Sequence, residues 1–503
     1  MFRNEALDLI VLLLVSLLLS IYLFFHMHVI AMDGAFQYIP MAKIFAGGSF
    51  RDAVTYSGQQ PLFAFLVSLV SPWVGDFEWA ARGVSSFFGI LLILPVYALG
   101  KQVFDRRVAF LSCLFLVIHP YIRRFSADAL KESTYLFFFA VAIWFTVRAL
   151  QRERLYLFLF IPLLSGLAYL VRPDGAELFV AVLFYTLFIK RFSASGTKIK
   201  AILILILSSG FLFLPYLLYL RGTVGAWSLS KTKSIAAFIG LGLTMDRVPL
   251  VNEILFTFRY LVEEIQARLL PLFLFLMVVG FGKTFLSRFK KEESFLVVLW
   301  ILHVAVLFLL IFNLTDWDAD KASETSLFSG RHVLPLLLIS IYWIAEGFVK
   351  THQWVCARAT THGFLRRVEA GRRPALLWAA LLILVLAVVL PKTLKPQRYE
   401  KLPEKWAGIW IKSQSGKGAT IFTTQPRVAY YADGFCEYIT SEDNKQDKIR
   451  AALGEKKTLY LVIQEEVTAR SLGASVAAGN DFTEVMRYEK KGMEKIIIYR
   501  RTS

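Results

Sequence analysis

Long apolar runs recur along this chain with short polar breaks between them. They cover 7–30, 79–99, 108–118, 133–150, 155–171, 176–189, 201–220, 269–281, 294–312, 333–349 and 376–390. A helix of about 20 apolar residues crosses the hydrocarbon of a bilayer. The pattern therefore predicts a polytopic α-helical membrane protein with eleven spans, the shorter ones tilted or clipped at their ends. One more apolar stretch, 61–74, is too short to cross and predicts an interfacial or re-entrant element. Behind the first run, 31–52 mixes Phe36, Ile39, Met41, Ile44 and Phe45 with Gln37, Tyr38 and Lys43, which predicts a helix lying in the interface. Pro40 bends that helix or marks its start. After residue 391 the pattern changes. Apolar runs shrink to strand length at 420–423, 459–463 and 495–499, and 406–413 has helical spacing. Strands interleaved with helix predict a small α/β domain at 392–503, following a membrane domain at 1–391. The smaller domain is expected to cover or gate one face of the larger rather than to do chemistry.

Composition narrows the class. Of 503 residues 56% are hydrophobic, 44 are Phe and only 19% are charged, which a soluble chain of this length would not show. The first run lacks a small-residue cleavage site and is read as a retained span. A net charge of +18 would suit a nucleic-acid partner, but the basic residues crowd into short connections between spans, where they set topology instead. The connections at 101–107, 148–154, 190–191, 288–291 and 350–373 are the basic set, so that side is cytoplasmic and the amino terminus lies inside. Asp33, the 119–131 connection, Arg172, 221–268, 313–331 and the α/β domain then lie outside. The location expected is a bacterial inner or plasma membrane. Cys113, Cys356 and Cys436 are far apart and offer neither a disulfide framework nor a metal spacing. No inverted repeat is visible, which counts against a secondary transporter.

The outer connections collect the chemistry. Asp33 stands at the exit of the first span, where a carboxylate needs water, a cation or a substrate. The next connection holds Arg123, Arg124, Asp128, Lys131 and Glu132. If Asp128 opens a helix, Glu132 lies one turn on with Lys131 beside it. Pro173 and Gly175 make a tight turn that sets Arg172 and Asp174 at the bilayer edge. Lys231, Lys233, Arg331 and His332 follow. Each has a plainer reading: Arg123 and Arg124 as interfacial anchors, Arg172 as a snorkelling side chain, Lys131 with Glu132 as a structural pair. Carboxylates among cations at one bilayer surface suit transfer of a sugar from a polyprenyl phosphate. The leaving phosphate needs cations rather than a general acid, and the acceptor hydroxyl needs a carboxylate base. The acidic string at 316–320 lacks the Gly and Glu of a calcium loop, having Lys321 and Leu327 there, and reads as solvated loop. The sequon at 313–315 lies too near the membrane to carry weight.

Several motifs, in this order and spacing, resemble the GT-C fold of membrane glycosyltransferases. They are Asp33–Gly34 with Tyr38, Ala42–Lys43 and Gly47–Gly48, then 60–66, 80–90, 96–104, 128–137 and 166–175, with looser echoes at 330–336 and 428–434. The likeness is to the protein O-mannosyltransferases and the lipid A aminoarabinose and galacturonic acid transferases. It implies an inverting transferase that takes a sugar from a polyprenyl-phosphate donor to a lipid, glycan or protein acceptor at the outer face. Asp33 then acts at the acceptor or organises the site, with Asp128 or Glu132 as the second acid. Lys131, Arg172, Arg331, Arg123 and His332 are candidates for the donor phosphate, and Tyr38, Lys43 and Asp174 for substrate. Many relatives carry a second acid where this chain has Gly34, so a paired-acid or metal role there is not implied. No cofactor follows, and a divalent metal stays open. A transporter of the lipid-linked sugar, without bond chemistry, is the alternative.

Overall fold

The computed structural model describes residues 5–231, 250–286, 293–316, 325–326, 328–361, 373–423, 425–438, 459–464 and 482–502. Every predicted span is helical, and among the described residues length and apolarity mark seven to nine crossings, so the count of eleven is not confirmed. Among the described residues seven helices are long and apolar enough: Glu5–His26, Phe77–Val103, Glu132–Arg152, Ser195–Val224, Ser294–Leu314, Gly330–Arg358 and Pro374–Leu394. Two bent pairs raise the number to nine. Arg106–Ile118 meets Pro120–Ser126 at 64°, and Leu250–Leu269 meets Pro271–Gly282 at 101°. Proline at each break removes a backbone donor and clashes with the preceding turn. Leu155–Val171 and Gly175–Ile189 are apolar but shorter.

Two boundaries differ from the hydropathy pattern. The first helix stops at His26, four residues early, because the chain there pairs with the segment leaving the last span. Gln397 donates to the His26 carbonyl (3.2 Å) and accepts from the His28 amide (3.4 Å). The helix Leu334–Thr361 runs well into the stretch expected as a loop at 350–373, since its polar residues sit on the turns without breaking them. The membrane helices cross closely where side chains are absent. A Cβ on Gly280 would come within 1.9 Å of the Trp343 carbonyl oxygen, and one on Gly347 within 1.8 Å of the Leu276 oxygen. Such small-residue contacts let backbones touch inside a bilayer.

The first connection is mostly helical, broken by a turn at Gly47–Gly48. A π-helical turn, Gly34–Tyr38, runs into Ile39–Ala46 with Pro40 in its first turn. Ile39, Met41, Ala42 and Phe45 are buried. The stretch at 61–74 is the helix Leu62–Val74, which buries Phe63, Ala64 and Val67. The Tyr38 and Phe63 rings meet edge to face at 5.4 Å. Asp128 locks this layer. Its Oδ1 accepts from the amides of Ala31 (3.0 Å) and Ala129 (2.8 Å), and its Oδ2 pairs with Arg398 at 2.5 Å.

Past the last span a five-stranded sheet forms in the order Phe435–Tyr438, Thr420–Thr423, Tyr460–Gln464, Ile496–Arg501 and Phe482–Tyr488. The first three strands are parallel and the last two antiparallel. Helices Leu402–Ser415 and Pro426–Ala432 accompany the sheet. The second of these sits on the membrane part: Tyr431 accepts from the Ile30 amide at 3.0 Å. Strand 460–464 is a near-continuous apolar run, as a buried strand with parallel pairing should be, and 420–423 buries Ile421 and Phe422 between threonines.

Candidate functional site

Three separate connections converge beside the first loop. The turn from 171 to 175 depends on Gly175, where a Cβ would lie 2.3 Å from the Tyr169 nitrogen. Glu132 opens its helix behind Lys131. A short 3-10 turn, Gly330–Val333, carries Arg331 and His332. Asp33 stands immediately before the π-helical turn, its side chain not spent on capping it.

Arg331 donates to Asp33, and the same nitrogen, Nη1, lies 3.5 Å from Glu132 Oε1. Arg172 Nη1 donates to that Glu132 oxygen at 3.3 Å, and its Nη2 reaches Asp174 Oδ2 at 2.6 Å and His332 Nδ1 at 2.7 Å. A guanidinium only donates, so Nδ1 accepts and the His332 proton is on Nε2. The 3.3 Å approach of Nδ1 to Asp174 then carries no hydrogen. Lys131 donates to Gln59 at 2.5 Å and lies 5.4 Å from the centre of the Tyr38 ring. Glu132 is fully buried, whereas the Asp33 side chain is 23% exposed.

Burial resists ionisation of Asp174, yet the Arg172 guanidinium outweighs it and holds the carboxyl well below the usual range. Tyr38 is pushed well above the ordinary phenol by burial, then by Asp33 and Glu132. Its hydroxyl, the second oxygen of Glu132 and the Tyr135 hydroxyl have no hydrogen-bond partner among the described residues. Buried polar atoms left in that state are costly unless a ligand completes them.

The structure thus brings Asp33, Tyr38, Lys131, Glu132, Arg172, Asp174, Arg331 and His332 together. Three other candidates lie elsewhere. Arg123 is buried between helices, donating to Ser20 (3.0 Å) and the Gly89 carbonyl (3.4 Å). Lys43 pairs with Asp433 of the C-terminal part at 3.8 Å. Asp128 does not open a helix with Glu132 on its next turn. It sits in the bend before the helix, held by the amides of Ala31 and Ala129 and ion-paired with Arg398. Lys231 bonds the carbonyls of Val54 and Ser57 (2.7 Å to Ser57) and so holds the first loop. Lys233 and 317–320 lie outside the described residues.

The position after Asp33 has a steric explanation. A Cβ on Gly34 would stand 2.7 Å from the Ala129 oxygen, so a second acid there has no room. The groups between these carboxylates are guanidinium groups. Among the described residues no three His, Cys, Asp or Glu side chains converge as a metal site. The sequence reading missed Gln59, Tyr135, Arg398, Glu177 and His303. The last two carried a signal, being ionisable residues within apolar runs.

The sequence profile of the dolichyl-phosphate-mannose-protein mannosyltransferase family matches residues 58–219. That region holds the motifs at 60–66 through 166–175 and leaves out Asp33. Among solved structures, ArnT from Cupriavidus metallidurans bound to undecaprenyl phosphate is similar at TM-score 0.59 and 13% identity, with 98% of each chain covered. The archaeal oligosaccharyltransferase AglB from Archaeoglobus fulgidus, in complex with an inhibitory peptide and a dolichol-phosphate, is similar at TM-score 0.54 and 13% identity, over 99% of this chain and 74% of that one. The mycobacterial arabinofuranosyltransferase AftD gives TM-score 0.52 at 11% identity, over 99% of this chain and 42% of that one. No curated protein matches in sequence. With its apolar helices, its C-terminal sheet and these likenesses, the chain is an integral membrane protein of the GT-C fold, resembling the mannosyltransferase and ArnT group of membrane glycosyltransferases.

Proposed function

We propose that this protein is an inverting glycosyltransferase that moves a sugar from a polyprenyl-phosphate donor to a lipid, glycan or protein acceptor at the extracytoplasmic face. The observation that carries the reading is the partly open Asp33 set against Arg331, with Glu132, Arg172 and Lys131 behind it. The likeness to proteins whose structures hold undecaprenyl phosphate and dolichol-phosphate supports the donor class. In the resting site Arg331 is shared by two carboxylates. A donor phosphate competes for it, and Asp33 is released toward the acceptor. The acceptor oxygen then bonds to the anomeric carbon opposite the phosphate. The carbon–oxygen bond to phosphate breaks with its electron pair, and the hydroxyl proton passes to Asp33. Arg331, Lys131 and Arg172 take up the charge gathering on the phosphate. The α/β domain at 392–503 covers the first loop from outside.

The test uses the purified protein in vesicles with a polyprenyl-phosphate sugar and candidate acceptors. Mass spectrometry is expected to find sugar covalently on an acceptor. Donor moved across the bilayer with no new glycosidic bond would overturn the assignment and favour a transporter.

Lys131 gives the reading a pH signature. Burial, then the neighbouring Arg172, lowers its ammonium to about 7, against the pull of Glu132. A sugar phosphodiester stays a monoanion across the neutral range, so the lysine is the partner that titrates. Below about 7 it is charged and holds phosphate; above, that hold is lost. The donor KM is expected to rise about tenfold per pH unit above this point, and Lys131→Gln should flatten the rise. A slope that survives in Lys131→Gln would assign it to another group.

A further inference from the structure

Behind the cluster lies an ionisable pair that the proposed reaction does not use. His303 belongs to the helix Ser294–Leu314 and Glu177 to the first turn of Gly175–Phe184. Their side chains are 1% and 4% exposed. The His303 Nδ1 is 2.7 Å from Glu177 Oε2, and its Nε2 is 3.0 Å from the backbone oxygen of His332. A carbonyl oxygen only accepts, so Nε2 carries a proton. The other proton of the pair sits on Nδ1 or on Glu177, and both hydrogen bonds are made either way.

That carbonyl belongs to the turn Gly330–Val333. The same four residues present Arg331 to Asp33 and Glu132, and His332 to Arg172. A buried ion pair between apolar helices is a poor source of stability, because desolvation offsets the attraction. Here it ties two membrane helices to one turn of the site.

We propose that Glu177 and His303 form a positioning dyad, acting through the His332 carbonyl to aim Arg331 at the donor phosphate. This rests on the lipid-phosphate reading above. Geometry of this kind is sensitive, since a displacement near 1 Å in a reacting constellation costs about 100-fold in rate at the extreme.

The test compares His303→Gln, whose amide reaches the position of Nε2, with His303→Asn, whose amide does not. Full-length protein in detergent is titrated with undecaprenyl phosphate, and donor KM and kcat are measured beside thermal midpoints. His303→Asn is expected to weaken binding and raise the donor KM about tenfold, with His303→Gln within about threefold of the parent. Equal behaviour of the two variants, whether both normal or both impaired, would overturn the proposal, as would loss of folded protein in both. Arg331→Ala is run alongside. If that variant binds normally, the lipid-phosphate reading itself fails. If it loses binding while His303→Asn keeps it, only the dyad's role is refuted.

Discussion

Asp33→Asn is expected to abolish sugar transfer while leaving the protein folded. The amide keeps the shape of the carboxyl but cannot take a proton from an acceptor hydroxyl. Loss of a general base typically lowers turnover by about 100- to 10,000-fold. Stability should survive because Asp33 is only partly enclosed, at 23% exposed, and its partner Arg331 is 27% exposed. A partly exposed pair lies between the roughly 0 to 1 kcal/mol of surface ion pairs and the roughly 3 to 5 kcal/mol lost on breaking a buried one. Arg331 would still face Glu132, 3.5 Å away, so no cation is stranded. Binding of undecaprenyl phosphate should hold or tighten, since Asp33 no longer competes for Arg331. Full transfer by a normally folded Asp33→Asn protein would remove Asp33 from the chemistry.

Glu132→Gln, the same kind of change one layer deeper, is expected to act on the fold. Glu132 is fully buried and lies 3.3 Å from Arg172 and 3.5 Å from Arg331. Neutralising it leaves two guanidinium groups facing each other with less negative charge between them. Breaking a buried pair from one side costs about 3 to 5 kcal/mol. The thermal midpoint in detergent should fall well below that of Asp33→Asn, and transfer should fall with it. A Glu132→Gln protein as stable as the parent would mean that water or another anion already shares those arginines.

Much of the membrane part was legible because hydropathy is a local property. The helices at 5–26, 132–152 and 294–314 follow from apolar runs alone, and Pro120 and Pro271 mark the two sharp bends. The eleven-span expectation illustrates the limit. Apolar composition without length, as at 155–171 and 175–189, does not distinguish a crossing from a shorter packed helix. In the sheet, Thr420–Thr423 was read to the residue from its β-branched and aromatic pattern. Phe435–Tyr438 and Phe482–Tyr488 were missed, because edge strands alternate weakly and carry charge.

The site divides in the same way. Asp33, Glu132, Arg172, Asp174 and Arg331 were nameable because each is a charge next to a membrane run, which is costly wherever it lacks a task. Which of Asp128 and Glu132 faces the cluster could not be read. Four residues apart in sequence, they are separated by a bend that turns one toward Arg398 and the other toward Arg172. Arg123 and Lys43 looked equally suitable and went to helix packing and to the C-terminal part. The chain by itself determined the membrane class, the kinds of charge on offer and the strand-rich tail, since hydropathy and charge belong to each residue wherever it lands. Only the folded protein decided which charges share a pocket and that His303 reaches the turn bearing Arg331. Those contacts join residues 29 to 298 positions apart, and their closeness comes from how the helices pack.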